Sequence, residues 1–488
     1  MQNLSRRTFL KSATALGALS LGLGRRSAWS QPGGSNEAIR IAVIGLGRKG
    51  SNHLQNVLTT PGVRLAALCD VDPVVLARAR EALPSSASGV FLTTDARQVL
   101  ERKDVDALLI ATTDHWHALL TVWACQAGKD VYVEKPLSQT VREGRRMVEA
   151  ARKYGRIVQH GTQARSDIAN PEVVAYLREG NLGAIQFVHA VFLKPRDDIG
   201  HPLPWYPDWL DYDLYCGPAP VRPLVRRELH YDWHWFWDTG NGDATNIGVH
   251  VFDLARWMAG HSEQPRRILS LGGRFAIGDS AETPNTLLTV FDYADIPVFH
   301  EIRGLPASPG DETMDHVRGL RSGVMVQCEH GYFAGRNGGW VYDNAGKRIR
   351  GFPGDGGAGH LSNFLGAVRS RREGELAASI QTGYTSTTPC ILSTLSQRVG
   401  RPAMPDSIRA ELASFPYAAG RLDSIEKHLG RHGVDLRSNP LTLGRWLEVS
   451  PLDGTIEAVG GGDDGDAALV HHLFDGISRP GYELPDLT

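Results

Sequence analysis

Ile39-Arg40-Ile41-Ala42-Val43-Ile44-Gly45-Leu46-Gly47-Arg48-Lys49-Gly50 is the stretch whose reading decides the fold. Its first six residues form a short, nearly continuous apolar run, the pattern of a strand buried on both faces of a parallel sheet. The three glycines that follow stand at the spacing of a dinucleotide fingerprint between a strand and a helix. Gly45 permits the tight turn, Gly47 lets a pyrophosphate approach the backbone, and Gly50 lets the helix pack against the strand. The helix start then turns unpaired N–H groups and the positive end of its dipole towards the phosphates. Asp70 lies twenty residues beyond Gly50, at the end of the next strand, where its carboxylate accepts from the adenosine ribose hydroxyls. Val71 and Asp72 follow it instead of an arginine, so NAD is favoured over NADP. Arg48 inside the loop keeps NADP open as a second choice.

Outward from this stretch, strands and helices alternate. Arg64 to Asp70 reads as a strand, Pro73 to Leu83 as a helix, Val105 to Ala111 as a strand and Trp116 to Ala127 as a helix. A strand at Asp130–Val133, a helix from Thr140 to Tyr154 and a strand at Arg156–His160 follow. This spacing predicts an α/β fold, a doubly wound parallel Rossmann sheet over residues 37–160. From Gly161 the strict alternation stops. Apolar or alternating runs at Ile185–Phe192, Ile268–Phe275, Thr286–Tyr293 and Val324–Tyr332 accompany helices at Glu172–Glu179, Asn246–Ala259 and His360–Arg371. They predict a second, α+β domain over 161–405, with an open antiparallel sheet carrying a substrate helix on one face. Residues 406–488 are set apart as a C-terminal extension. Gly354 to Gly359 reads as the cap of the helix at His360 or as a loop closing over the site.

Residues 1–30 read as a twin-arginine signal peptide. Ser5-Arg6-Arg7-Thr8-Phe9-Leu10-Lys11 precedes a short apolar run from Ala13 to Gly24, and Ala28-Trp29-Ser30 offers a cleavage site before Gln31. The expected address is the periplasm, with the twin-arginine export machinery as a partner and no membrane span in the mature protein. A net charge of -2 argues against a nucleic-acid or anionic-membrane surface. Cys69, Cys125, Cys216, Cys328 and Cys390 are far apart and lack CxxC spacing, so neither a disulfide framework nor a metal site is expected.

Glu134-Lys135-Pro136 falls just after a strand, at the carboxyl edge where doubly wound sheets bind ligands. By chemistry alone Lys135 is a cofactor contact, a hydrogen-bond donor to substrate or a solvated charge. With the fingerprint, these residues resemble the glucose–fructose oxidoreductase / inositol dehydrogenase (Gfo/Idh/MocA) family, in which the lysine lies beside the nicotinamide and the proline follows a cis peptide. Thr112-Thr113-Asp114-His115-Trp116-His117-Ala118 is similar to the family's loop after the fourth strand, with Thr113 in place of a frequent proline. The stretch from Gly240 through Asp243, Asn246, Gly248 and His250 to Asp253 resembles the family's catalytic helix. Asn246 stands where many members carry an aspartate, a feature of exported members of the Bacteroidetes and Planctomycetes type. Gly161-Thr162-Gln163 and His360-Leu361-Ser362-Asn363-Phe364 match that subgroup, and the resemblance runs from Ile39 to Arg401.

The resemblance implies Lys135, His250, Asn246 and Asp253 as catalytic residues. It implies a cofactor shell of Gly45, Gly47, Arg48, Lys49, Gly50, Asp70, Thr112, His115, His117, Glu134 and Lys135. Gln163, His230, Trp235 and Asp243 are substrate candidates. It further implies a homo-oligomer, dimer or tetramer, built on the sheet face opposite the substrate helix. By helical spacing Asn246, His250, Asp253 and Trp257 share one face, and Ile247, Val251, Leu254 and Met258 the other. On spacing alone an ion pair between His250 and Asp253 is the preferred reading; Lys135 and the fingerprint upstream reverse that preference. Trp205, Tyr206, Trp209, Tyr212, Tyr215, Tyr231, Trp233, Trp235, Phe236 and Trp237 form an aromatic stretch suited to packing, to an interface or to stacking on a sugar ring.

The leading expectation is hydride transfer between a sugar, sugar derivative or cyclitol and a tightly bound nicotinamide, with His250 as base and Lys135 as donor to the same oxygen. A glycosidase using NAD catalytically, through transient oxidation and elimination, is the rival. A sugar-binding protein without turnover is the third reading. Export favours a closed redox cycle, because a cofactor carried out once has to be regenerated in place.

Overall fold

The computed structural model describes residues 38–487 except 88, 462, 463 and 477. The expected signal peptide lies outside the described residues. β1 (Ile39–Ile44), β2 (Val63–Cys69), β3 (Phe91–Thr93), β4 (Ala107–Ile110), β5 (Asp130–Val133) and β6 (Val158–His160) form one parallel sheet in the order β3-β2-β1-β4-β5-β6. Its helices are α1 (Arg48–Thr59), α2 (Pro73–Glu81), α3 (Ala96–Leu100), α4 (Asp114–Gln126) and α5 (Val141–Lys153). The two faces of β1 feed separate cores. Ala42 and Ile44 pack with α4 and α5 residues such as Leu119, Val122 and Met147, and Ile41 and Val43 pack with Leu54, Val57 and Phe364. A strand so enclosed reads as an unbroken apolar run, which is why the fold is legible in it. The short β3 has no such run and was not anticipated.

The second sheet runs β14-β13-β12-β11-β7-β10-β9-β8-β16-β15, with β17 on β8 and β18 on β17. Its strands are β7 (Ile185–Leu193), β8 (Arg267–Gly273), β9 (Thr286–Asp292), β10 (Val298–Arg303), β11 (Ser322–Cys328), β12 (Gly331–Arg336), β13 (Gly338–Asp343), β14 (Arg348–Pro353), β15 (Arg401–Ala403), β16 (Leu441–Leu443), β17 (Leu447–Val449) and β18 (Ile456–Val459). β7 and β10 are parallel and the other pairs antiparallel. Helices of this half are α6 (Asn170–Arg178), α7 (Tyr212–Cys216), α8 (Asp243–Asn246), α9 (Gly248–Ala259), α10 (His360–Ser370), α11 (Ile380–Arg398), α12 (Pro405–Glu411), α13 (Pro416–Arg431) and α14 (Asp464–Asp475). Ile268, Phe291, Val298 and Val324 face α9 and α11, while Leu269, Leu271, Val290 and Phe299 face the opposite side. That alternation is the period of two expected of strands covered differently on each face.

One expectation changes here. The helix expected over Asn246–Ala259 is two helices, broken at Ile247 (φ -111°, ψ -25°). At Gly248 the chain runs so close to His300 of β10 and to the Asp243 carbonyl that any Cβ would overlap them. The sheet face opposite α9 carries helices of the chain itself. Ile408, Leu412, Leu422 and Ile425 of α12 and α13 pack on β8, β9 and β10, each such side chain contributing roughly 2 kcal/mol of burial. Buried Glu301 pairs with Arg303 at 2.6 Å and with Arg421 of α13 at 2.7 Å, which fixes how that helix sits. Residues 441–459 join the sheet as strands, so the segment set apart as an extension is structurally continuous with the second half.

Candidate functional site

The nucleotide end is built from backbone. Gly45 has φ +81°, and a Cβ there would lie 2.5 Å from the Ala111 carbonyl. A Cβ at Gly50 would overlap the Gly45 carbonyl, whereas one at Gly47 has nothing within 4 Å. The crowded glycines close the turn and the open one faces the cleft. Gly47 caps α1 without a side chain, so the first-turn N–H groups are left for an anion. Asp70 Oδ2 accepts from Leu46 N at 2.7 Å and Oδ1 from Asp72 N at 2.9 Å, which pins the carboxylate with lone pairs to spare. Burial raises its pKa while those N–H groups oppose the rise. Arg97 is engaged by Asp95 at 2.7 Å, and Arg48 lies over the Tyr231 ring at 5.9 Å. These donors, the open glycine and the acidic ribose end fit NAD.

A cleft of about 1280 Å³, its mouth included, runs from this loop to Lys135. Its other wall is the second half's segment carrying Tyr215, His230, Tyr231, Trp233 and His234. His230 Nε2 lies 2.8 Å from Asp72 Oδ2, and Trp209 Nε1 donates to the same oxygen at 3.2 Å. The segment is thereby tied to the Rossmann sheet at its adenosine end.

The Glu134-Lys135-Pro136 turn leaves β5 with a cis Lys135–Pro136 peptide. His117, buried and neutral, reaches the Pro136 carbonyl at 2.7 Å from Nδ1 and holds the turn. Glu134 is enclosed by His53 at 2.8 Å, Gln163 at 3.1 Å and Lys49 at 3.5 Å. Although burial opposes ionisation, the His53 hydrogen bond and the His53, Lys49 and Lys135 charges hold the carboxyl well below the usual range. Lys135 Nζ donates to Asn246 Oδ1 at 3.0 Å, and Asn246 Nδ2 donates to Asp243 Oδ1 at 3.3 Å. Asp243 is gripped by Arg196 through two contacts at 2.5 and 2.8 Å, and Arg196 also donates to the Tyr231 hydroxyl at 2.9 Å. Burial lowers the Lys135 amine; Asp114, Glu134 and Asp243 oppose that. Two imidazoles feel the same ammonium. His250 is driven well below its ordinary pKa by burial, Arg336 and Lys135, and His234 is lowered to about 3 by burial and Lys135. Both are neutral bases at neutral pH.

Matching of family models agrees with this geometry. Residues 39–162 match the model described as an oxidoreductase family, NAD-binding Rossmann fold, and residues 200–270 the family's C-terminal alpha/beta domain. Both models are of the Gfo/Idh/MocA oxidoreductase family, to which these two stretches are similar. The first of them is an NAD-binding Rossmann domain. Among curated relatives, an α-N-acetylgalactosaminidase of Shewanella oneidensis is 27% identical over 355 residues, 67% of this chain and 69% of that protein. A glycosyl hydrolase family 109 protein of a Shewanella species is 23% identical over 352 residues, with the same two shares. The Caulobacter crescentus aldose–aldose oxidoreductase shares the fold at TM-score 0.54 and 17% identity, covering 73% of this chain and 97% of its own.

Against this Gfo/Idh/MocA frame, the residues singled out in the sequence do not all gather at the cleft. Gly45, Gly47, Arg48, Lys49, Asp70, Thr112, Glu134 and Lys135 line it. His115 and His117 do not: His115 lies 3.3 Å from the Tyr215 carbonyl, behind the wall, and His117 braces the turn. α4 begins at Asp114, two residues earlier than expected, and this rotates both rings away while turning Asp114 to the cleft. Asp253 makes no hydrogen bond or ion pair with His250 among the described residues. It is sealed with Arg165 at 2.8 Å and Ser386 at 2.5 Å, which removes the His250–Asp253 ion pair read from spacing. His230 stands at the adenosine end, and Trp235 packs under Arg196 at 5.1 Å, outside the cleft lining. Gln163 is spent on Glu134 and on the Tyr132 hydroxyl at 2.8 Å. Arg196 and Asp114 were not singled out as site residues, and Arg196 follows Lys194-Pro195 in a loop with no periodic signal; His234, beside His230 in the aromatic stretch, reads from sequence as either a substrate hydrogen-bonder or a structural histidine.

Proposed function

We propose that the chain is an exported, NAD-dependent glycosidase that oxidises its sugar only transiently. The observation that carries this reading is His234, a buried neutral imidazole that lines the cleft together with Lys135, while His250 of α9 supplies a second neutral imidazole. Oxidation of a carbinol needs one base, for the hydroxyl proton. Elimination of an aglycone needs another, for the carbon-bound proton beside the new carbonyl. NAD, held by the glycine turn and Asp70, would supply a reversible hydride acceptor; with water added where the aglycone leaves and the carbonyl then reduced, the cycle would close without a second redox partner. His250 accepts the hydroxyl proton, and Lys135 donates to that oxygen and stabilises its developing charge. Asn246 holds Lys135 at 3.0 Å and, lacking a charge, leaves the amine free to follow the substrate oxygen. His234 has Nδ1 engaged by the Tyr231 carbonyl at 2.6 Å, which presents Nε2 for the carbon-bound proton. Trp233, stacked on His234 at 3.6 Å, keeps that ring in place.

The glycosidase relatives favour this reading over a net dehydrogenase, and an exported protein gains most from a closed cycle. Aryl α-N-acetylgalactosaminides are the first substrates to offer, followed by other aryl glycosides. Many aglycone releases per enzyme without accumulating NADH are expected. Reduction that halts after one turnover until a second sugar is added would instead identify a sugar–sugar oxidoreductase. No spectral change with any sugar would leave binding alone.

A further inference from the structure

The adenosine end of the cleft has an apolar slot beside Asp70, lined by Val71, Ala96, Trp116, Leu120, Trp123 and Leu214. Its walls suit the flat base of a nucleotide. Trp116 and Leu120 belong to α4 of the Rossmann half, whereas Leu214 belongs to α7 of the second half. The slot therefore stays closed only while α7 lies against α4. On the cleft side, Trp116 Nε1 donates to the Tyr215 carbonyl at 3.1 Å. Gly217 (φ +49°) packs so close to the Trp116 ring that a Cβ there would overlap it.

Behind this contact lies a segment from residues 479–487. Arg479 donates from Nε to the Gly217 carbonyl at 2.7 Å and from Nη2 to the Asp213 carbonyl at 2.8 Å. It thereby caps the carboxyl end of α7. Its Nη1 donates to Asp213 Oδ1 at 2.6 Å, and the Tyr482 hydroxyl donates to Oδ2 at 3.2 Å. The Tyr482 ring, with Arg479 over it at 4.9 Å, meets the Trp116 ring edge-on at 5.6 Å. Further on, the Leu487 carbonyl accepts from Lys153 of α5 at 3.0 Å, which anchors the segment on the Rossmann half. A lone surface ion pair is worth little, but Arg479 is held by one carboxylate and two carbonyls at once.

We propose that Arg479 and Tyr482 are positioning residues for the cofactor, which bolt α7 to α4 around the base slot and so slow the release of NAD. The test needs no sugar, so it stands or falls apart from the glycosidase reading. The full chain is loaded with NADH and chased with excess NAD, and release is followed by nicotinamide fluorescence. In R479A/Y482A the release rate should rise at least about tenfold while the protein stays folded, because such contacts act mainly on dissociation. D213A, which removes the shared acceptor from the α7 side, should also speed release, and it decides the matter should the double variant fail to fold. D486A, which loses only an ion pair with Arg146 of α5 at 3.9 Å, should release at the parent's rate. An unchanged release rate in the deciding variant overturns the proposal, even where its melting temperature falls. So does a D486A rate as fast as that variant's, since any loosening of the segment would then have the same effect.

Discussion

The nucleotide end and the Lys135 end of this cleft are made of different material. The first is backbone: crowded glycines at 45 and 50, an open one at 47, and the uncapped start of α1. The second is side chains drawn from α4, the β5 turn, α8 and the segment through Tyr231, chained by Lys135–Asn246–Asp243–Arg196 contacts. A backbone site is specified locally and fails all at once. A side-chain network is specified by the whole fold, and its members can be removed one at a time.

The largest expected effect lies in the backbone half. G50V places methyl groups where even a Cβ overlaps the Gly45 carbonyl, and it should cost several kcal/mol, enough to abolish folding of the Rossmann half. G47V, with nothing within 4 Å, should fold normally and lose NAD. Thermal melts with and without NAD separate the two, and equal melts for both variants would contradict the division of labour among the glycines.

Next come Lys135 and His250. K135A and H250A should each lower turnover by about a hundred- to ten-thousand-fold while the purified proteins retain NAD. Cofactor loss in parallel with activity would move these residues to the nucleotide half and blur the comparison. D70A should weaken NAD by up to about 3 kcal/mol, the worth of charged hydrogen bonds to ribose hydroxyls, and should narrow any preference over NADP. Titration calorimetry measures both, and undiminished NAD affinity would leave Asp70 as a brace for Leu46 and Asp72 only.

The same contrast explains what the sequence discloses. The fingerprint, Asp70 and the Rossmann strands are legible because each depends on residues close in the chain and on strands buried on both faces. The Lys135 end depends on distant encounters. The helix break at Ile247 follows from His300 meeting Gly248, fifty-two residues away in sequence, and no periodicity near Asn246 announces it. His115 and His117 look like cleft residues beside Thr112, and a two-residue shift in the start of α4 exchanges them for Asp114. Arg196 and His234 lie in loop and short-turn segments where no repeat marks which side faces inward. The tail's strands, three or four residues long, are too brief to show alternation.

Asp253 tests the border between scaffold and chemistry, and its expected effect is the smallest. Its carboxyl is completely buried; burial alone would raise its pKa, but Arg165, Arg256 and Ser386 bring it down to about 2. A carboxyl lowered in the folded state stabilises the protein above its unfolded value near 3.8, and that contribution is lost as pH falls through the folded value near 2. The pH-dependent part amounts to roughly 2.5 kcal/mol. D253N should therefore melt lower than the parent at pH 7, because Arg165 loses its partner, and the gap should shrink between pH 4 and pH 2. Turnover per folded, NAD-loaded molecule should keep its pH profile, since Asp253 touches neither Lys135 nor His250 among the recorded hydrogen bonds and ion pairs. A shifted profile in D253N, with stability unchanged across the same pH window, would return Asp253 to the chemistry and extend the side-chain half of the site into the core of α9.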